Sequence, residues 1–145
     1  MFELTQIQNE IKAPKNQVNN FGKYNYRSAE DIQQAVKPLL LNYNCMITLS
    51  DEIIYIGNEH NKFGQAEKST ETIEGSRYYV KATATFYDSK GASIQVTASA
   101  RESMTKKGMD SAQITGSASS YARKYALCGL LLLDDTKDAD SFNNK

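Results

Sequence analysis

With 145 residues, 40% of them apolar, the chain is long enough for one compact domain with a buried core and too short for two comfortable ones. It has neither a run of about 18 apolar residues able to cross a bilayer nor the apolar stretch of a secretory signal, so we expect a soluble intracellular protein. Cys45 and Cys128 lack CxxC spacing, which predicts reduced, buried thiols.

The charges are unevenly distributed along the chain, although the formal net charge is zero. Residues 51–74 have a net charge of −4 and residues 134–145 a net charge of −2, which leaves +6 on the remainder. The neutral total therefore conceals a basic body with two acidic segments. A nucleic-acid partner is not excluded by the overall charge.

Two helices are predicted in the first part of the chain. Apolar residues recur at helical spacing in the opening segment, which should form a short amphipathic helix ending before Pro14. After a polar loop, Ser28 is the predicted N-cap of a second helix over residues 29–43, in which Pro38 predicts a kink. The apolar residues of the first helix are Phe2, Leu4, Ile7 and Ile11, and those of the second are Ile32, Val36, Leu39, Leu40 and Tyr43.

Three strands and a long helix are predicted in the rest of the chain. Residues 45–57 are rich in β-branched and aliphatic side chains, with a bulge or a bend expected at Asp51 and Glu52, where the alternation slips. A polar segment over residues 58–76 is predicted to be mobile. Alternating apolar and polar residues then predict two strands, over 77–87 and 94–101, joined by the hairpin turn DSKG. A third helix should extend from about residue 110 to residue 127 or beyond.

The predicted order is helix, helix, strand, strand, strand, helix. It is typical of an α+β fold in which a three-stranded antiparallel meander is packed against helices on one face. We expect one core domain over residues 1–133 and an acidic C-terminal tail over residues 134–145.

The third predicted helix has three distinct faces when its residues are placed at 100° intervals. An apolar stripe should face the sheet, a stripe of small residues would allow another backbone to come close, and a polar stripe includes two cations. The apolar stripe is Ile114, Ala118, Tyr121, Tyr125 and Cys128, and the small stripe is Ala112, Thr115, Ser119, Ala122 and Ala126. The polar stripe is Gln113, Gly116, Ser117, Ser120, Arg123 and Lys124.

The polar stripe has two interpretations. Its small side chains would let a phosphate chain approach, and Arg123 and Lys124 would hold that chain. Alternatively, the two cations complement the negative end of the helix dipole.

A second basic and aromatic cluster lies in the polar loop before the second helix, where Lys23, Tyr24, Tyr26 and Arg27 alternate cations with rings. Such a mixture is typical of single-strand binding, because bases stack on the rings while the cations follow the backbone. Lys15 would extend this track. The alternative is a tyrosine pair that packs into the core beside a surface lysine.

A third basic position is the pair Lys106 and Lys107, at the entrance to the third helix. The N-terminus of a helix attracts anions, and adjacent lysines strengthen that field. The alternative is a solvated loop.

Residues typical of catalysis are scarce. His60 is the only histidine, no GxxxxGK[ST] motif is present, and the aspartates after Leu133 lack the glycine and glutamate of an EF-hand. We therefore expect no enzyme, no metal and no cofactor. A rival hypothesis is a metal-dependent nuclease that uses Asp51, Glu52 and the tail carboxylates.

Three strings closely resemble the Erf family of phage single-strand annealing proteins, the essential recombination function group. They are APKNQVNNFGKYNYRSAEDI, KPLL and GMDSAQITGSASSYARKYALCGLLLLDDTKDAD, and the similarity extends from about Ile7 to Asp140. The resemblance implies ATP-independent binding of single-stranded DNA and annealing of complementary strands in phage or prophage recombination. It also implies a ring or filament of identical subunits in the bacterial cytosol, with an annealing-protein core of strands packed on a long helix.

The resemblance implies DNA contacts at the two clusters already described, at Lys23, Tyr24, Tyr26, Arg27, Gln113, Ser117, Ser120, Arg123 and Lys124; the chain's own pattern adds Lys15, Lys106 and Lys107. Further implied partners are a phage exonuclease or a host single-strand binding protein. The alternative function is a protein-interaction module that binds an acidic partner or host regulator. The charge distribution also motivates the hypothesis that the acidic segments repel DNA from wrong surfaces or occupy the groove in the free protein.

Overall fold

The computed structural model of the chain describes residues 1–56, 77–101 and 111–134. The predicted mobile segment, Lys106, Lys107 and the tail beyond Asp134 lie outside the described residues. The α+β prediction is confirmed, and the observed element order differs from the predicted one by a small hairpin. The elements are α1 (Phe2–Glu10), β1 (Gln17–Asn19), β2 (Tyr24–Tyr26), α2 (Ala29–Tyr43), β3 (Met46–Ile56), β4 (Arg77–Tyr87), β5 (Ser93–Arg101) and α3 (Ser111–Leu131).

The main sheet is an antiparallel meander with the strand order β3-β4-β5. Pairing between β3 and β4 is one-to-one from Met46 opposite Tyr87 to Ile56 opposite Arg77, so the bulge predicted at Asp51 and Glu52 is wrong. The alternation slips because Asp51 takes an inward position in the register, opposite the buried Ala82. Its carboxylate is there satisfied by side chains of α3.

The predicted turn between β4 and β5 is confirmed and is organised by Asp88. The Asp88 carboxylate accepts hydrogen bonds from the backbone N–H groups of Lys90 and Ala92, at 2.9 and 2.8 Å. Gly91 has a φ of 89°, a conformation that favours glycine. The amino group of Met1 donates to the other carboxylate oxygen at 2.6 Å, which fixes the start of α1 against this turn.

Helix α2 has the predicted bounds and the predicted cap. The Ser28 hydroxyl accepts from the Asp31 N–H, and the Asp31 carboxylate accepts from the Ser28 N–H, a reciprocal capping box. The helix ends at Asn44 in a left-handed conformation. Ile32 and Val36 are buried, while the remaining residues of the predicted stripe are half-buried. The kink at Pro38 stays a prediction.

Helix α3 packs on the sheet largely through alanine. Ala118 and Cys128 of the predicted apolar stripe are buried, whereas its two tyrosines are not. Ala122 and Ala126 are fully buried in one cluster with Ala82 and Ala84 of β4. Tyr121 and Tyr125, predicted to face the sheet, are 45% and 39% exposed. Short side chains on both surfaces bring the helix close to the strands and leave no room for rings between them. At Gly129 an added Cβ would lie only 3.1 Å from Val96 Cγ1.

The three helices and the inner face of the sheet share one hydrophobic core. Leu4, Ile7 and Ile11 of the first helical segment are buried, whereas Phe2 is 72% exposed and was wrongly included in the apolar face. No described element covers the outer face of the sheet, where β3 and β5 expose threonine and serine. Within the described ranges, no helix has both the length and the apolar content needed to span a membrane.

Candidate nucleic-acid interface

The polar loop predicted before α2 is a two-stranded hairpin, β1–β2, which corrects that prediction. Gln17 pairs with Tyr26 and Asn19 with Tyr24. At its tip the Asn19 side-chain oxygen accepts hydrogen bonds from the backbone N–H groups of Phe21 and Gly22, both at 2.9 Å. Lys23 completes the turn with a φ of 53°. Strands of three residues give too little alternation to be recognised in the sequence.

Two tyrosines lie on one side of β2, two residues apart. The rings of Tyr24 and Tyr26 meet edge to face with their centres 6.1 Å apart, and both residues are half-buried. The Tyr24 hydroxyl accepts a hydrogen bond from the Asn19 amide at 3.0 Å. A Cβ at Gly22 would come within 2.2 Å of the Tyr24 ring, so this ring position requires glycine.

A cleft of about 260 Å³ lies where the base of the hairpin meets α3 and the first turn of α2. It joins the two clusters that the sequence singled out, because Tyr26 and Arg27 line it together with Ser117, Ser120 and Lys124. The amino end of α2 also borders the cleft, with its capping box of Ser28 and Asp31 and the Glu30 carboxylate in its first turn. The walls also include Ser28, Ala29, Glu30 and Tyr121.

Lys124 is surrounded by aromatic rings in this cleft. Its ammonium nitrogen lies 5.7 Å from the centre of the Tyr26 ring and 5.8 Å from those of Tyr121 and Tyr125. The Tyr121 and Tyr125 rings are themselves stacked, with centres 6.2 Å apart. Cation–π attraction orients an ammonium group over the faces of aromatic rings. Tyr121 and Tyr125 are therefore exposed rather than packed on the sheet, and their rings lie against Lys124.

Arg27 has a different environment from the one predicted. Its side chain is buried, with 9% of the residue exposed. Its Nε donates to the carbonyl oxygen of Ala13 at 2.6 Å, and a terminal nitrogen donates to the carbonyl oxygen of Asp134. The guanidinium thus joins three distant segments of the chain. We assign Arg27 a role in holding the cleft together rather than an exposed phosphate contact.

Arg123 points away from Lys124, towards β3. Its Nε and a terminal nitrogen lie 3.0 to 3.1 Å from the Asp51 carboxylate, which also accepts a hydrogen bond from the Ser119 hydroxyl. Desolvation raises the pKa of Asp51, but the hydrogen bonds from Arg123 and Ser119 and the Arg123 charge outweigh it, so the pKa is lowered. Arg123 also lines a separate cleft of about 290 Å³ between α2 and β3.

The remaining predicted contacts are dispersed. Lys23 is exposed at the hairpin tip, while the Lys15 side chain is only 13% exposed and lies 3.3 Å from the Asp134 carboxylate. Gln113 belongs to the first turn of α3, where side chains lie outside the described part of the structure. The sequence interpretation missed Phe21, which is fully exposed at the hairpin tip. An aromatic residue inside an otherwise polar turn was the signal that could have identified it.

Two carboxylates of the nuclease hypothesis, those of Asp51 and Glu52, face opposite sides of the sheet, and the tail carboxylates beyond Asp134 lie outside the described residues. Asp51 faces α3, whereas Glu52, the next residue of the strand, faces outward beside Lys81 at 3.7 Å. Over the described ranges, no group of three or more histidine, cysteine, aspartate or glutamate side chains is placed to hold a metal ion.

Comparison with known proteins places the chain in a family. The profile of the ERF superfamily matches residues 2–145. The chain belongs to the ERF superfamily. The Essential recombination function protein of Salmonella phage P22 is 50% identical to this ERF chain over 142 residues. Those residues are 98% of the ERF chain and 59% of the relative, so the chain spans about three fifths of that protein's length. No solved structure matches it.

Proposed function

We propose that this ERF chain binds single-stranded DNA in the cleft between the β1–β2 hairpin and α3 and promotes annealing of complementary strands during phage recombination. The observation on which the proposal depends is the Lys124 ammonium held among three tyrosine rings beside two serines and the amino end of α2. This combination suits a nucleic-acid strand, since rings stack on bases of any sequence while a cation attracts phosphate. The name of the phage P22 relative supports the recombination role.

The proposed mechanism involves no bond breakage. One cleft offers few charged contacts, so a protomer alone would bind weakly. An assembly of identical subunits would align many clefts on one strand, and its affinity would come from the number of sites engaged at once. A strand held through its backbone and by partial stacking keeps base edges available for pairing with a complement. ATP has no role in this scheme, because pairing itself supplies the free energy.

The first test is the fluorescence anisotropy of a labelled oligo(dT) strand over a salt series, with wild type and K124Q. We expect the affinity to fall as salt rises, with a slope that loses about 0.7 in the logarithmic plot when one phosphate contact is removed. K90Q is the matched control, because Lys90 lies exposed in the β4–β5 turn, outside the cleft. Equal effects of K124Q and K90Q would contradict the assignment of the cleft.

The second test adds the complementary strand without ATP and with divalent cations chelated. Accelerated pairing by the wild type, and slower pairing with K124Q, is the expected result. Strand length should be unchanged when magnesium or manganese is present, which distinguishes annealing from nuclease activity. Absence of single-strand binding at low salt would overturn the proposed function and favour an acidic protein partner.

A further inference from the structure

The tip of the β1–β2 hairpin presents one aromatic ring to solvent. Phe21 has a relative exposure of 102%, the highest among the exposed large hydrophobic residues of the described structure. A single exposed apolar side chain is ordinary on a protein surface and by itself indicates nothing. What distinguishes Phe21 is the hydrogen-bonded turn that holds its backbone and its place at the tip of the hairpin whose base lines the cleft.

The backbone beneath Phe21 is held in place by specific contacts. The Asn19 side-chain oxygen accepts from the N–H groups of Phe21 and Gly22, and a Cβ added at Gly22 would clash with the Tyr24 ring in its present position. Ordering the tip in the free protein reduces the entropy that a ligand would otherwise have to offset. The Phe21 ring therefore projects from a turn whose backbone is held by hydrogen bonds to Asn19.

The hairpin is also a row of aromatic and cationic side chains that leads to the cleft. Lys23 is exposed two residues after Phe21, and Tyr24 and Tyr26 follow along β2 with their ring centres 6.1 Å apart. Tyr26 then contacts Lys124 inside the cleft. Phe21 thus lies at the tip of the hairpin whose base lines the cleft. A cation beside the ring suits a partner that has negative charge next to flat apolar faces.

We propose that Phe21 stacks on an unpaired base of the bound strand and thereby favours single-stranded over double-stranded DNA. This inference rests on the proposed function of the cleft. In a duplex both faces of a base are covered by its neighbours, so a protruding ring gains a stacking contact only where bases are unpaired. The cation of the cleft is suited to phosphate, which both forms of DNA possess, so it discriminates less between them. Discrimination is therefore assigned to the hairpin tip.

The chain has no tryptophan, so F21W introduces a single fluorescent reporter at the position in question. Stacking on a base should quench its emission when oligo(dT) is added, and duplex of the same length should quench it less. In parallel, F21A should weaken oligo(dT) binding by about tenfold while duplex binding changes little. V18A is the matched control, because Val18 is 61% exposed on the same hairpin and lies away from the tip. Equal thermal unfolding of F21A and wild type would establish that the fold is intact.

The outcomes separate this inference from the function on which it rests. If K124Q binds oligo(dT) more weakly than wild type but F21A binds like wild type, the role of Phe21 is wrong and the cleft assignment stands. Emission of F21W that shifts with protein concentration and ignores DNA would also overturn the inference, since the ring then meets a second copy of the chain. Failure of the wild type to bind oligo(dT) at low salt would overturn both. Quenching by oligo(dT) together with selective loss in F21A is the supporting result.

Discussion

Two neighbouring cations of α3 lie in different electrostatic environments. Arg123 meets the Asp51 carboxylate within hydrogen-bonding distance, so its charge is largely compensated within the protein. Lys124, the next residue, lies against the rings of three tyrosines. Adjacent helical residues differ by 100° in direction, and that angle is enough to direct one side chain to β3 and the other to the cleft. A sequence pattern that treats the pair as one basic patch therefore misses their separate roles.

Replacing Asp51 by asparagine tests the structural role of this ion pair. The lowered pKa means that folded Asp51 binds its proton less tightly than the unfolded chain does, so its stabilisation is present above the reference value of 3.8. This stabilisation is lost as the pH falls through the lowered pKa of Asp51 in the folded protein. We expect D51N to reduce the free energy of unfolding by about 0.5 to 1 kcal/mol at neutral pH, because both partners are partly exposed.

The measurement is urea unfolding of wild type and D51N at neutral pH and again below pH 3.8. The difference between the two proteins should shrink at the lower pH. E52Q is the control, since the neighbouring carboxylate is 64% exposed on the opposite face of the sheet. A difference that persists unchanged in acid would show that Asp51 stabilises the fold by packing and not by charge.

At the scale of elements, helix α3 shows why periodicity identifies a helix more readily than its buried face. Its apolar stripe and its small stripe both have helical spacing, and the sequence favours the bulkier one. The sheet beneath the helix presents Ala82 and Ala84 of β4. That these alanines face α3 depends on the tertiary fold and cannot be inferred from the sequence of the helix alone. The alanines of the helix pack on the alanines of the sheet, and Tyr121 and Tyr125 lie outside that contact, beside Lys124.

Enlarging the alanine contact should reveal how closely helix and sheet approach. A126L adds bulk at a fully buried position, and we expect it to lower the free energy of unfolding by about 1 to 3 kcal/mol. A92L adds the same side chain at an exposed turn position and should change stability little. Urea unfolding midpoints compare the two. Equal midpoints for A126L and A92L would mean that the contact between α3 and the sheet can accommodate a larger side chain.

Local signals were sufficient where local chemistry decides the structure. The bounds of α2 follow from Ser28, whose cap depends on residues three positions away. The three antiparallel strands follow from alternation and from a turn built by Asp88. The burial of Arg27 was beyond such reasoning, because its acceptors are carbonyl groups of Ala13 and Asp134, which only the tertiary fold brings to it.

At the scale of the whole molecule, the acidic C-terminal segment begins at Asp134, a residue that is anchored to the folded core. Asp134 belongs to the acidic stretch by sequence, yet its carboxylate pairs with Lys15 and its carbonyl accepts from Arg27. Asp134, which directly precedes residues 135–145, is therefore held beside Lys15 in the segment before the β1–β2 hairpin. Three further aspartates follow, at positions 135, 138 and 140. Their negative charge acts over roughly a Debye length, about 10 Å at 0.1 M salt.

Neutralising these three aspartates tests whether the acidic residues oppose DNA binding. The triple variant D135N/D138N/D140N keeps Asp134 and its anchoring contacts, so a loss of folding is not expected to obscure the result. We expect several-fold tighter binding of oligo(dT) at low salt, because repulsion of the phosphates is reduced. The gain should vanish near 1 M salt, where the Debye length is only about 3 Å. E52Q, which removes a carboxylate on the outer face of the sheet, should not reproduce the gain. Unchanged affinity of the triple variant at low salt would show that the acidic residues do not act on the cleft, and the separation of charge along the chain would then need a different partner to explain it.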